Sequence, residues 1–333
     1  MDPRIAMADG IRKYFRYIGS LTTPPCTEGV VWTVVEKVQT VSPDQVKLLK
    51  HAVVEEKNAR RLQKVNGRVV FYFDPFSRRS VAAEVKGNSE EFSYDPCSEK
   101  GPKFWGELNI EWAKCGNGSI QSPIALSKWT ADLTRGLGDL RRNYRPANAI
   151  LRNDGHEIIV DWTGNNAGSI KINNVYFQLQ NYHWHHPSEH TQDGKTYPLE
   201  LHMVHFNNVT QKTAVVGVLF EYGPRDPFIY MIERDIKYIN IDGGEEFLGK
   251  VDPRVARLDG RKYFRYIGSL TTPPCTEGVI WTVMETVQTV APYQVKLLQQ
   301  ALVEEKNARP LQKINGRDVF YFDPFSWQSV AAE

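Results

Sequence analysis

The chain has 333 residues, 41% of them hydrophobic, with 41 basic against 39 acidic side chains and a formal charge of +2. Such a length suits one or two domains with a substantial core, and interspersed, nearly balanced charge argues against a nucleic-acid or membrane-surface footprint. No apolar run approaches the roughly 20 residues that span a bilayer, and the opening MDPRIAMADGIRKYFRY has no apolar stretch of the secretory-leader type.

The chain repeats its own end. Residues 12–84 recur as residues 261–333, beginning with the same nineteen letters, RKYFRYIGSLTTPPCTEGV, and 60 of the 73 aligned positions match. A unit this long that occurs twice reads as a partial duplication and not as a solenoid. Within it VVWTVVEKVQTV and VFYFDP predict strands. Between them Ser42-Pro43-Asp44-Gln45 has the form of a capping box with Pro at the first helical position. Val46, Leu48, Leu49, Ala52 and Val53 follow at helical spacing. The later copy has Ala291 in place of Ser42, which is expected to weaken that helix start by about 1 kcal/mol. Residues 151–222 predict a run of strands: EIIVDW, IKI and VYFQL joined by an Asn-Asn turn, YHWHH, LELHMVHF and TAVVGVLFEY. The expected class is mostly β (α+β), a large and mostly antiparallel central sheet with short peripheral helices.

Six of the eight histidines fall between positions 183 and 205: His183, His185, His186, His190, His202 and His205. On a strand His183 and His185 project from one face, and His202 on a neighbouring strand can complete a facial set of three nitrogens. Three neutral imidazoles leave a zinc ion one open position, as catalytic sites do. A lone His-x-His more often marks an exposed polar face. Here the strands are otherwise apolar, and Glu189 and Glu200 stand close enough in sequence to accept the outer ring N–H of a ligand. Cys26, Cys97, Cys115 and Cys275 lack the short paired spacings of a cysteine zinc site, and four thiols allow three full pairings. Two sequons, at Asn117 and Asn208, are compatible with secretion and also common by chance.

The run NYHWHHPSEHTQDGKTYPLELHMVHFN resembles the zinc-binding signature of the alpha-class carbonic anhydrases, especially the plant branch. The resemblance continues through WGEL, QSPI, NDGHEI, VVGVLF and GSLTTPPCTEGVIWTV, spanning about residues 92–326. It implies reversible hydration of carbon dioxide by zinc-bound hydroxide, with Zn2+ on His183, His185 and His202. Thr271 and Glu189 match the family's gatekeeping pair and His156 its proton shuttle. Val204, Val215, Leu270, Thr272, Val279 and Trp281 match the substrate pocket, and Glu200 the carboxylate that orients the third ligand. Asn181 stands where the family usually carries Gln, and the shorter amide is expected to hold His183 less firmly. Cys115 and Cys275 match a disulfide of extracellular members, while His186, His190 and His205 read as structural. Sulfonamides and small anions are the implied inhibitors. The implied compartment is extracellular or plastid, although no leader is visible.

The resemblance divides the chain into a complete domain, residues 86–333, and a partial duplicate, residues 1–85, that carries Thr22-Thr23-Pro24-Pro25 but no ligand histidine. A non-catalytic appendage is the preferred reading of the duplicate. An extra packing or dimerisation layer and competition with residues 251–333 for one slot are the alternatives. Dioscorin-type storage proteins resemble the same pattern and supply the rival function; an ester-hydrolysing zinc enzyme would use the same site.

Overall fold

The computed structural model describes residues 14–35, 40–51, 60, 63, 71–73, 92–239 and 244–326, and in it the alternating apolar runs become strands. The chain divides into two compact units, Met1–Ser89 and Glu90–Glu333. The first contains β1 (Tyr14–Ser20), β2 (Glu28–Val35), α1 (Pro43–His51) and β3 (Phe71–Phe73), with β1 central and antiparallel to both other strands. The expected capping box is formed: the Gln45 N–H donates to Ser42 Oγ at 3.2 Å, and the Ser42 N–H to Gln45 Oε1 at 2.9 Å. Residues 36–39 of the longer strand predicted there, and Ala52 and Val53 of the helical stripe, lie outside the described residues.

The second unit runs α2 (Trp105–Leu108), α3 (Lys114–Asn117), β4 (Ala125–Leu126), β5 (Asp132–Leu133), β6 (Arg141–Tyr144), β7 (Ala147–Asn153), β8 (Ile158–Trp162), β9 (Gly168–Ile172) and β10 (Val175–His185). It continues with β11 (Thr191–Gln192), β12 (Leu199–Asn207), β13 (Lys212–Tyr222), α4 (Pro227–Ile236), β14 (Glu245–Val251), β15 (Tyr263–Ser269), β16 (Glu277–Met284), β17 (Gln288–Val290), α5 (Pro292–Ala301) and β18 (Phe320–Phe322). One large sheet has the order β14-β7-β8-β10-β12-β13-β16-β15-β18-β5, with β6, β9 and β17 branching from it. The Asn-Asn turn between β9 and β10 is as expected, with Asn173 and Asn174 both at positive φ, the geometry of a tight hairpin.

The expectation of a mostly antiparallel sheet is corrected to a mixed one. Strand β13 runs parallel to β16 and β17, and β18 parallel to β5. The reason is the long connection after β13: α4, β14 and β15 intervene, and β16 re-enters beside β13 from the same end. A crossover of that length permits parallel pairing, which a hairpin does not.

Period-2 alternation gives the sheet two different faces. From β10, β12 and β13, Tyr182, Trp184, Leu201, Met203, Val216 and Val218 enter one apolar core, against Phe228, Ile229 and Ile232 of α4 and Val295 and Leu298 of α5. Helix α5 begins without a side-chain cap at Ala291. The Gln294 side chain keeps the other half of the box, accepting the Ala291 N–H as Gln45 accepts that of Ser42, and it also accepts the Asp226 N–H, joining the starts of α5 and α4. The opposite face carries the histidines. Because the whole large sheet lies in Glu90–Glu333, a chain starting at Glu90 is expected to keep its metal content and turnover. Its melting midpoint should lie within about 4 °C of the full chain, the shift that about 1 kcal/mol produces in a domain of this size. Loss of metal and turnover on deletion would contradict the appendage reading.

Candidate metal centre

Strands β10 and β12 pair antiparallel with His183 opposite His202 and His185 opposite Glu200. The three rings of His183, His185 and His202 converge, one nitrogen from each lying within 4.8 Å of the others. Each outer nitrogen is engaged. Asn181 Oδ1 accepts from His183 Nδ1 at 3.1 Å, the Asn307 carbonyl from His185 Nδ1 at 2.7 Å, and Glu200 Oε1 from His202 Nε2 at 2.9 Å. The shorter amide of Asn181 therefore still reaches His183. Burial, with its two histidine neighbours, holds His183 well below the usual histidine pKa, and burial brings His202 down to about 4.

Neutral rings whose outer nitrogens donate must present lone pairs inward. His183 Nε2 and His202 Nδ1 face each other at 3.3 Å, and His185 Nε2 is buried without a hydrogen-bond partner. Two lone pairs at that distance repel unless a cation lies between them. A tetrahedral zinc with nitrogen ligands at about 2.0–2.1 Å separates its donors by roughly 3.3 Å, so the residues present fit the ion that the sequence implies. The second buried cluster of possible ligands, His190, Glu200 and His202, is instead closed by hydrogen bonds.

Glu200 closes it. Its Oε1 accepts from His190 Nδ1 at 2.7 Å as well as from His202, and its Oε2 accepts the backbone N–H groups of Glu189 and His190, both at 2.8 Å. Burial alone would raise its pKa, but His190 and His202 outweigh burial and hold it well below the carboxylate range. Gly217, opposite His202 on β13, makes the room: a Cβ there would stand 3.1 Å from Glu200 Oε1. His190 Nε2 pairs in turn with the Tyr266 hydroxyl, which meets Ser122 Oγ.

Glu189 is buried beside this network. Burial and the neighbouring Glu200 push its pKa up to about 8, against the Thr271 hydroxyl and the Arg309 N–H, which favour its ionised form. Its Oε1 accepts that N–H at 2.8 Å, and its Oε2 has no hydrogen bond of regular geometry. Glu189 is near two of the converging rings, at 3.6 Å from His185 and 3.9 Å from His202, but Glu200 is the carboxylate that accepts a hydrogen bond from one of them. Val215, Val279 and Trp281 form one apolar cluster with Val204 and Leu270 packed on it; Thr272 is half-buried beside them in sequence. The Trp281 ring lies 4.8 Å from that of His202, so the apolar wall borders the histidines. His156 is 21% exposed, stacked on Phe92 at 4.2 Å, with Nδ1 unbonded and 3.9 Å from Glu304. Cys115 and Cys275 form a disulfide across 160 residues, leaving Cys26 and Cys97 free.

Several residues that shape the site were not singled out by the sequence. Asn307 holds β10 through its carbonyl on His185 and its side chain on His186, Trp184 and His156. Arg309, buried, donates to Gln121 and to the carbonyls of Ser122 and Cys115, tying the disulfide loop to Glu189. Glu157 is buried with Oε1 unbonded, 3.6 Å from His185 Nε2, and burial pushes its pKa up to about 8. Only the recurrence of Lys-Asn-Ala-Arg in both copies marks the Asn307–Arg309 stretch. Of the histidines read as structural, His190 and His205 have partners, the latter Tyr144 and the Ala214 carbonyl. The ring nitrogens of His186 make no hydrogen bond of regular geometry.

Burial lowers the His205 pKa to about 3, so the unfolded chain takes up that proton first. The stability it contributes is complete above about pH 6.5 and is lost as the pH falls toward about 3. In metal-free His205→Gln, urea unfolding between about pH 4 and 6 is expected to show a slope against pH shallower by about 1.4 kcal/mol per unit. An unchanged slope would mean that His205 does not stay neutral in the fold.

Comparison with known proteins agrees with the site. The family of eukaryotic-type carbonic anhydrases matches residues 4–74 and 100–323. Alpha carbonic anhydrase 7 of Arabidopsis thaliana is 43% identical over 263 residues, 77% of this chain and 95% of that protein. Dioscorin dioA3 of Dioscorea japonica is 49% identical over 237 residues, 70% of this chain and 87% of that protein. The alpha-carbonic anhydrase of Thermovibrio ammonificans, solved with the inhibitor sulfanilamide, superposes with a TM-score of 0.63 at 32% identity, covering 69% of this chain and 98% of that one. With family, relatives and fold in agreement, the chain belongs to the eukaryotic-type (alpha) carbonic anhydrases.

Proposed function

We propose that the chain hydrates carbon dioxide reversibly to bicarbonate and a proton, using one zinc ion held by His183, His185 and His202. The observation that carries this reading is the set of three rings with every outer nitrogen engaged and the inner nitrogens converging. Zinc held by these three residues would supply a Lewis acid that brings the pKa of a water molecule down to about 7, the value characteristic of carbonic anhydrases as a class.

The remaining steps belong to side chains. Glu189 accepts the Arg309 N–H at Oε1 and keeps Oε2 unbonded; the Thr271 hydroxyl would donate to this carboxylate and so keep its own oxygen as an acceptor. That polarity would let Thr271 orient the group that attacks the substrate, a positioning effect. Val204, Val215, Leu270, Val279 and Trp281 offer carbon dioxide a wall without hydrogen-bonding groups, apart from a Trp281 N–H already given to the Ser269 carbonyl at 2.9 Å. Bicarbonate, charged, is poorly held there and leaves to water. His156, about one-fifth exposed although its Nδ1 is buried and unbonded, would relay the product proton outward through its ring.

Stopped-flow hydration with parallel zinc analysis tests the reading. The wild-type chain should hold one zinc per molecule and respond to sulfanilamide. Thr271→Ala should keep its zinc and lose about 100-fold in kcat/KM, the size of effect expected when an orienting hydrogen bond is removed. A purified wild-type protein without zinc and without turnover would favour the storage or binding role of a dioscorin-like protein on the same fold.

A further inference from the structure

The leading copy has the conformation of the closing segment without the sheet that closing segment covers. Strands β1 and β2 pair in the register of β15 and β16, residue for residue, including the irregularity at Gly19/Ser20 and Gly268/Ser269. Trp32 Nε1 donates to the Ser20 carbonyl at 2.8 Å as Trp281 does to Ser269 at 2.9 Å, and Arg16 Nε to Thr33 as Arg265 to Thr282. The loops match too, Cys26 N–H donating to the Thr23 carbonyl and Cys275 N–H to that of Thr272, both at 2.9 Å. What differs is cover. Val34 is 46% exposed where Val283 is buried, and Val31 is 63% exposed.

The later copy shows what covers that edge. There β16 lies parallel to β13, with Ile280, Trp281, Thr282 and Val283 opposite Ala214, Val215, Val216 and Gly217. The corresponding four residues of β2 are Val31, Trp32, Thr33 and Val34, a single change from isoleucine to valine. Among the described residues β2 has no strand on this side. The leading copy also repeats the supporting groups of the closing segment: Thr22, Cys26, Asn58 and Arg60 stand where Thr271, Cys275, Asn307 and Arg309 do.

We propose that the leading unit is a second, exchangeable closing segment, which docks on residues 92–250 of a second copy of the chain. It seats β2 on that copy's β13 in the place of β16. The displaced β16 exposes the edge that β2 no longer does, so the number of covered edges is unchanged and neither segment has a large packing advantage. The difference lies in the anchor: Cys275 is bonded to Cys115, while Cys26 is free. Cutting the anchor should therefore let the two segments compete. The inference stands apart from the metal reading, since its readout is a covalent link and needs no activity.

The test uses the full wild-type chain, reduced and then reoxidised in glutathione buffer, alongside full-length Cys275→Ser treated in the same way. Glutathione disulfide is the oxidant: the Cys26 and Cys115 thiols lose two electrons and two protons, and two glutathione thiols form. In Cys275→Ser the expected product is a covalent dimer, doubling the 38.1 kDa chain mass. Its digest should join the Cys26 peptide of one chain to the Cys115 peptide of the other. Isotopically mixed chains read that pairing directly. In the wild type the same cross-linked peptide should appear beside Cys115–Cys275, which keeps the test independent of how the variant folds. Recovery of Cys115–Cys275 alone from the wild type, or a Cys26–Cys115 link confined to monomers, overturns the proposal.

Discussion

A charged carboxylate with no access to water fixes the geometry of the centre. Burying an ion costs several kcal/mol unless hydrogen bonds replace its hydration, and Glu200 meets that condition with four donors. Two come from backbone at positions 189 and 190, so the turn carrying Glu189 is positioned by the same group that holds His202. A third comes from His190, which extends the network to Tyr266 and Ser122. The bare Cα of Gly217 on β13 leaves the carboxylate its space. The orientation of the His202 ring, the placement of Glu189 and the local packing of three strands therefore share one constraint.

Much of this was legible in the sequence, for a definite reason. His183 and His185 are two apart on a strand, and the strand period alone places them on one face; β10, β12 and β13 follow from apolar alternation in the same way. A third imidazole was expected from a neighbouring strand, and His202 stands there; the motif-level resemblance then implied the pairing of Cys115 with Cys275, which the structure forms. Contacts made by backbone carbonyls and by distant loops had no such signature. The Asn307 carbonyl on His185 and the Arg309 N–H on Glu189 come from over a hundred residues away, where no periodicity points to a partner. The sheet was read as mostly antiparallel because alternation identifies strands without giving their direction; the long route from β13 to β16 makes it mixed.

The duplicated segment separates local from tertiary information within a single chain. Nearly identical sequences adopt the same register and the same Trp-to-Ser hydrogen bond with or without a neighbouring sheet. Local pattern and turn chemistry therefore specify the hairpin. Burial is different, because it depends on the partner. Phe264 is fully buried and Phe15, its equivalent, is 37% exposed, so the hydrophobic term that stabilises the closing segment in the complete domain is largely absent from the leading copy.

The central claim, that the inner nitrogens of His183, His185 and His202 hold one zinc ion, is tested most directly by X-ray absorption at the zinc edge on the purified full-length chain. The account predicts three nitrogen scatterers with imidazole multiple-scattering features at about 2.0 Å and one further light atom. A spectrum dominated by sulfur near about 2.3 Å, or a chain that takes up no zinc, would contradict it.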